Sequence, residues 1–213
     1  MDSFDRHTDY GTNALLESHL GPDPFANFAS WLKQAESEGV YEPNAFVLGT
    51  INAAGEPNAR TVLLKGIIDG SFFFASNYLS QKGVELELNP VASMVFGWYG
   101  MHRQIMVQGT VKRASREESV AYFESRPHDS QVAAWLSRQS QPVESREALE
   151  SGFANALTQF ENRAVPTPEH WGGYLICPLR IEFWQGRTSR MHDRIEFRRT
   201  TPHEDWQVRR LQP

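Results

Sequence analysis

The chain of 213 residues contains one cysteine, Cys177, so it can form neither an internal disulfide nor a cysteine-based metal cage. No apolar run approaches the roughly 18 residues that a membrane-spanning helix needs. The histidines show no HxH or HExxH spacing of the kind that binds metals. The first residues are acidic and lack the pattern of a secretion signal. These absences predict a cytoplasmic protein with no metal site and no membrane partner.

Glycine-rich phosphate loops are also missing, since the sequence contains neither GxGxxG nor GxxxxGK[ST]. The regular alternation of strand and helix that is typical of a parallel sheet is missing as well. If the protein binds a nucleotide, its side chains must therefore hold the phosphate.

Lysine is scarce, with 4 lysines against 17 arginines, and the net charge of −5 argues against general nucleic-acid binding. The charge is unevenly distributed: residues 1–59 carry a net −7, whereas residues 180–213 carry eight arginines and a net +3. Composition bias accounts for most of these arginines. Because the guanidinium fork suits phosphates and carboxylates, the uneven distribution still favours a small anionic ligand.

Along the chain, residues 1–22 are polar and predict a flexible N-terminal arm, whereas residues 23–213 predict a single domain. Asp23 and Pro24 are typical of a helix start, and Gly39 of its end. Further helices are predicted at 80–88, 115–125, 129–138 and 145–162. Short strands are predicted at 45–51, 59–67, 71–76, 91–98, 103–112, 173–177, 180–185, 194–199 and 206–211. This order predicts a mainly β fold with peripheral helices (α+β), built on an antiparallel barrel or sheet.

Two polar motifs in the first half could hold anions. Arg60 and Lys65 lie on one predicted strand with opposite orientations, so they could serve two different anions, unless they are ordinary strand-end charges. The segment from Ser76 to Lys82 enters a helix, where free backbone N–H groups attract anions, although a plain N-cap explains it equally well.

Two motifs in the second half have the same character. Tyr122 and Arg126 share a helix face, and Ser130 could cap the next helix; together they could form a phosphate cup or only a stacking pair. Arg190, His192 and Arg194 alternate at period two, so in an extended segment all three point to one side. Such a group could surround an anion, but His192 could also be a structural histidine.

Several segments together resemble the pyridoxamine 5′-phosphate oxidase family. The similarity runs in order from about residue 24 to the C-terminal RLQP, and its last three motifs are the most specific. The segments are 60–65 (RTVLLK), 80–82 (SQK), 103–104 (RQ), 125–127 (SRP), 135–140 (WLSRQS), 171–174 (WGGY), 181–186 (IEFWQG) and 190–194 (RMHDR).

The resemblance implies an FMN-binding split β-barrel that works as a homodimer, with FMN in clefts between the subunits. It implies oxidation of pyridoxine or pyridoxamine 5′-phosphate to pyridoxal 5′-phosphate by hydride transfer from substrate C4′ to flavin N5, with O2 reduced to H2O2. The catalytic residues that it implies are Arg190 and His192.

The resemblance also implies two sets of binding residues. The substrate-binding set is Lys65, Tyr122, Arg126, Ser130, Arg190, Met191 and His192. The cofactor-binding set is Arg60, Thr61, Val62, Leu63, Leu64, Lys65, Ala75, Ser76, Gln81, Lys82, Gln104, Gln139, Ser140, Trp184 and Arg194.

Three positions depart from the family pattern: Gln81 stands where a second arginine is usual, Ala75 replaces an aromatic residue, and His128 replaces an arginine. Two other functions remain open. A related flavin oxidase of the phenazine-forming type would not need a cup for a substrate phosphate. A carrier of flavin or pyridoxal phosphate would bind both ligands and form no peroxide.

Overall fold

The computed structural model describes residues 9–213. In this part of the chain nine strands form one antiparallel sheet: β1 Ala45–Ile51, β2 Pro57–Leu63, β3 Gly66–Ile68, β4 Ser71–Asn77, β5 Val91–Trp98, β6 Arg103–Arg113, β7 Trp171–Gln185, β8 Asp193–Arg198 and β9 Gln207–Arg210. Its α-helices are α1 Pro24–Ser37, α2 Gln81–Leu88, α3 Arg116–Glu124, α4 His128–Leu136 and α5 Arg146–Gln159.

Local sequence signals account for most of these boundaries. The Asp23 side chain accepts hydrogen bonds from the first backbone N–H groups of α1, as the capping pattern predicts. The capping box at the start of α3 forms between Ser115 and Glu118. Asp69 and Gly70 both have positive φ, which is the turn geometry that suits the twist of a hairpin such as β3–β4.

The predicted strand 59–67 is wrong as one element, because it is two strands at opposite edges of the sheet. The strand order is β2-β1-β5-β6-β7-β4-β3, and only Leu64 and Lys65 join β2 to β3. The N–H of Leu64 donates to Asn44 beside β1, whereas the N–H of Lys65 donates to Phe73 in β4. Two residues reach only about 7 Å, so the sheet must curl until its two edges meet.

The curled sheet remains split at this seam, since β2 and β3 do not pair with each other. The predicted fold class is therefore confirmed: a mainly β, antiparallel split barrel with helices around it.

The sequence predicts two strands at 173–177 and 180–185, whereas the structure has one continuous strand there, β7. It passes Pro178 because the pairing with β6 shifts register between Gln108 and Gly109. A Cβ on Gly109 would lie 2.0 Å from the carbonyl oxygen of Cys177, so only glycine fits beside the irregularity. A proline normally ends a central strand, which explains why the sequence pattern predicts a break here.

Helix α1 closes the barrel with aromatic side chains. Phe28 is 1% exposed, and its ring lies 5.1 Å from that of Phe72 in β4 and 5.0 Å from that of Phe96 in β5. A second cluster, with Phe123, Val132 and Trp171 at its centre, packs α3 and α4 against the start of β7. The helices that carry Tyr122 and Ser130 are thereby anchored to the barrel.

The described part of the predicted arm, residues 9–22, contacts the last strands. The N–H of Leu15 donates to Asp193 at 2.9 Å, and Arg210 pairs with Glu17. Residues 1–8 lie outside the described residues, and the division at residue 23 stays a prediction. Within residues 9–213, none of the helices combines the length and apolarity that crossing a membrane requires.

We expect Phe28→Ala to lower the free energy of unfolding by about 3–5 kcal/mol, because it leaves a cavity between α1 and the barrel. Urea unfolding of the purified variant measures this. Tyr41, 88% exposed, supplies the control Tyr41→Ala, which should change stability by less than about 0.5 kcal/mol. Equal effects of the two substitutions would contradict the packing described for α1.

Candidate active site

Lys82 lines a 450 Å³ cavity, called here the Lys82 pocket. Ser80 caps α2 and places Lys82 in its first turn, where the residue is only 9% exposed. Its Nζ lies 2.8 Å from Oε1 of Gln139 and 3.2 Å from Oγ of Ser76. The pocket is lined by Asn58, Ala59, Arg60, Thr61, Val62, Ala75, Ser76, Gln81, Lys82, Gln139 and Ser140.

Burial, together with the charge of Arg60, lowers the pKa of Lys82 to about 8, against the opposing effect of Glu85. A desolvated cation binds a dianion favourably, because the hydrogen bonds and charge of the dianion compensate for the lost hydration. The Lys82 pocket therefore has the donors and the charge that a phosphate monoester requires.

A second cavity of 510 Å³, the Arg126 pocket, adjoins the first and shares Ala75, Ser76 and Gln139 with it. It brings together Lys65, Tyr122, Arg126 and Ser130, the residues predicted to hold a substrate phosphate. The two neighbouring pockets provide two separate groups of cationic and hydroxyl donors.

Arg126 is held by aromatic rings and not by an acid. Its guanidinium lies 4.9 Å from the centre of the Trp171 ring, and that ring stacks on Tyr122. Among the described residues, its buried Nη1 has no hydrogen-bond partner. Burial lowers the pKa of Arg126, because the charged form loses solvation. The group is thus prepared for an external anion.

Two details of the predicted phosphate cup of Tyr122, Arg126 and Ser130 are wrong. Arg126 lies beyond the end of α3, so it does not share a helix with Tyr122. Ser130 lies in the first turn of α4, whose N-cap position is Pro127, so it does not cap the helix. The proline after Arg126 prevents helix continuation, and the turn that follows still directs both side chains to one cavity.

Gln104, Trp184 and Arg194 form a third group. They occupy consecutive positions across β6, β7 and β8, where Gln104 pairs with Trp184 and Trp184 with Arg194. Arg194 makes two hydrogen bonds to Glu182, at 2.7 and 3.0 Å, and these raise the pKa of Arg194. This row lines neither the Lys82 pocket nor the Arg126 pocket.

The prediction that Arg190, His192 and Arg194 point to one side of an extended segment is wrong. Thr188–Arg190 is a 3₁₀ turn, Ser189 and Arg190 have φ of 54° and 59°, and β8 begins only at Asp193. Left-handed residues redirect the chain, so the period-two rule does not apply.

The turn fixes the tautomer of His192. The backbone N–H of Arg187 donates to Nδ1 of His192 at 3.0 Å. Burial lowers the pKa of the imidazole, and the charge of Arg190 lowers it further. A neutral ring that accepts at Nδ1 carries its proton at Nε2, so His192 presents a donor there. Trp184 lies 4.8 Å from this ring, whereas Arg190 and Met191 are exposed.

Of the remaining predicted residues, Leu63 lines the Arg126 pocket with Lys65, whereas the side chain of Leu64 packs in the barrel core. Tyr10 lies in the arm, outside the matching motifs, and its ring lies 5.5 Å from that of His192 and 6.1 Å from that of Trp184. Glu85 and Glu182 were missed, because buried acids paired with arginine resemble exposed charges in a sequence.

Comparison with known proteins matches two family models to this chain. Residues 32–160 match the model described as pyridoxamine 5′-phosphate oxidase, and residues 171–213 match the pyridoxine 5′-phosphate oxidase C-terminal dimerisation region. A pyridoxine/pyridoxamine 5′-phosphate oxidase of Rubrobacter xylanophilus is 49% identical over 96% of this chain and 94% of its own length. The oxidase of Salinibacter ruber is 43% identical over 98% of both chains.

The chain belongs to the pyridoxine/pyridoxamine 5′-phosphate oxidase family. Among solved structures, PhzG from Burkholderia lata, in complex with tetrahydrophenazine-1-carboxylic acid, superposes with a TM-score of 0.88 at 28% identity, over 95% of this chain and all of that one. An FMN-binding protein of Nostoc punctiforme related to pyridoxamine 5′-phosphate oxidase shares the fold, with a TM-score of 0.71 over 90% of this chain and 98% of that one, at 15% identity.

Among the ligands that the sequence resemblance implies, FMN carries a phosphate that would suit the donors of the Lys82 pocket. We expect FMN affinity to be constant from pH 7 to about 7.5 and to fall above about pH 8, by up to tenfold per pH unit. The reason is that the phosphate requires charged Lys82, so binding above its pKa needs proton uptake. Quenching of flavin fluorescence measures the dissociation constant.

Lys82→Met should weaken FMN binding and abolish this pH dependence. The control Lys112→Met changes an exposed lysine of β6 and should leave the profile unchanged. A wild-type affinity that is equal at pH 7 and pH 9.5 would contradict the burial-lowered pKa of Lys82.

Proposed function

We propose that this protein oxidises pyridoxamine or pyridoxine 5′-phosphate to pyridoxal 5′-phosphate, with FMN as cofactor and O2 as electron acceptor. The observation that carries the proposal is the pair of adjoining pockets that share Ser76 and Gln139. Each pocket can hold one phosphate, so a flavin mononucleotide and a phosphorylated substrate can bind next to each other.

The residues of the Lys82 pocket fit the cofactor phosphate. Lys82 supplies a desolvated charge, Arg60 a second one, and Ser76 a hydroxyl. Gln104, Trp184 and Arg194 offer amide, aromatic and guanidinium groups that suit the edge and face of the flavin ring. When bound, the flavin would supply the redox chemistry, with N5 as acceptor of the hydride from substrate C4′ and O2 as the oxidant that is reduced to H2O2.

The residues of the Arg126 pocket bind and orient the substrate. Arg126, Lys65, Tyr122 and Ser130 hold its phosphate and thereby fix the position of the pyridine ring. Arg190 and the Nε2–H of neutral His192 contact the ring and orient C4′. The hydride carries both electrons, and the proton left on the substrate hydroxyl or amine nitrogen passes to solvent. With the amine substrate, water then hydrolyses the imine to the aldehyde and releases ammonia.

The catalytic site needs two copies of the chain. Ser76 in the Lys82 pocket pairs with Gly172 on β7, whereas Trp184 lies twelve residues further along the same strand. This separation is about 40 Å of extended strand, and the two pockets include none of Gln104, Trp184, Arg190 or His192. We infer that each site combines the pockets of one protomer with the Trp184 row and the His192 turn of its partner.

The superposition with PhzG favours a second candidate, a flavin oxidase that acts on a phenazine precursor. An enzyme of that type has no phosphate on its substrate to bind. The aromatic-held, unpartnered guanidinium of Arg126, together with Lys65 and Ser130, supports the phosphorylated substrate instead.

The proposal predicts flavin absorbance near ~450 nm after reconstitution with FMN and stoichiometric H2O2 from pyridoxamine 5′-phosphate. Unphosphorylated pyridoxamine should react poorly. Arg126→Ala should lower kcat/KM for the phosphorylated amine by the equivalent of about 2–4 kcal/mol, with little effect on pyridoxamine and on FMN affinity. Flavin binding without peroxide would indicate a carrier, and equal rates with both amines would favour the phenazine-type alternative.

The shared site predicts complementation between two inactive variants. Arg126→Ala and Arg190→Ala homodimers should each be impaired, but after mixed refolding about a quarter of the sites should contain both wild-type arginines. Peroxide production by the mixture measures this recovery. If both arginines of one site came from the same protomer, mixing would restore nothing.

A further inference from the structure

Glu85 is a buried acid behind the Lys82 pocket. It lies on α2, is 3% exposed, and is not among the residues that line the pocket. Its Oε1 accepts a hydrogen bond from Asn58 at 2.6 Å, and its Oε2 accepts from Thr50 and, at 3.0 Å, from Nη2 of Arg60. Three donors from β1 and β2 thus converge on one carboxylate.

These donors keep the carboxylate ionised. Burial by itself would raise the pKa of Glu85, but the hydrogen bonds from Thr50 and Arg60, together with the charge of Arg60, hold the pKa below its ordinary value. A buried acid is retained as a charge only when it is paired in this way.

The carboxylate restricts the guanidinium of Arg60. Nη2 is held by Glu85, and Nη1 donates to the Thr50 hydroxyl and, at 3.4 Å, to the carbonyl oxygen of Leu48. Of the five N–H donors of an arginine, two are therefore left for a ligand in the Lys82 pocket. A side chain that is already ordered loses less conformational entropy when a ligand binds.

We propose that Glu85 is a positioning residue of the phosphate site, which acts by holding Arg60 in place and does not touch the ligand itself. The inference rests on the proposed role of the Lys82 pocket as the seat of the FMN phosphate. Glu85 also offsets the mutual repulsion of Arg60 and Lys82, the two cations that line the pocket.

The direction in which removal of the Glu85 charge changes FMN affinity distinguishes a positioning role from a purely electrostatic one. Removal of a negative charge near a bound phosphate strengthens binding if only Coulomb forces act. If Glu85 works by holding Arg60, the same removal weakens binding, because the guanidinium becomes free to move.

The experiment compares FMN with riboflavin, which lacks the phosphate, by fluorescence titration of Glu85→Gln. We expect about tenfold weaker FMN binding and unchanged riboflavin binding. Glu87→Gln is the matched control, because Glu87 lies on the same helix with its side chain 65% exposed and paired to Arg113. Tighter or unchanged FMN binding by Glu85→Gln, or an equal loss for both flavins, overturns the proposal.

A double-mutant cycle tests whether the effect passes through Arg60. In an Arg60→Met background, Glu85→Gln should cost no further FMN affinity, whereas an additive loss shows that Glu85 acts by another route. If Glu85→Gln does not fold, Glu85→Asp takes its place in the titrations and in the cycle and is judged by the same outcomes. If wild-type protein binds FMN no better than riboflavin, the proposed function fails as well. If wild-type protein prefers FMN but Glu85→Gln does not weaken FMN binding, only this inference is refuted.

Discussion

The connection of β2 to β3 through Leu64 and Lys65 is the constraint on which the site depends. It forces the two edges of a seven-strand path to meet, and the hydrogen bonds of these two residues lead to opposite edges. Arg60 just before the seam and Lys65 within it consequently border neighbouring cavities, beside Ser76 from β4. A longer connection would permit a flatter sheet and would separate the two groups of donors.

Charge pairing shows how much of each guanidinium the fold itself uses. In the C-terminal segment, Arg180, Arg187, Arg194, Arg209 and Arg210 all pair with the buried acids Glu182, Asp193 and Glu196. The positive charge of residues 180–213 is therefore mostly internal to the fold. Arg126 is the opposite case, because it is buried against aromatic rings without an acid. The number of arginines therefore predicts ligand binding poorly, because the fold itself uses most of their charge.

The elements that could be predicted from the sequence are those specified by neighbouring residues. The capped start of α1, the Ser115 capping box and the Asp69-Gly70 turn are formed by contacts within four residues, and all appear where expected. The break at Leu64 and the continuity of β7 past Pro178 depend on pairing with distant strands. Local patterns carry no information about such pairing.

The same distinction applies to the candidate site. Lys82, Arg126 and their neighbours could be named from motifs, whereas the buried acids that hold Arg60 and Arg194 could not, since only the register places them there. The unusual length of β7 has the further consequence that it carries Trp184, which we propose to contact the flavin, near one end and borders the Lys82 and Arg126 pockets at the other. An extended strand separates its two ends by tens of ångströms, so the site that we propose takes the two ends from different protomers. In this proposal, assembly and catalysis are linked by the geometry of a single strand.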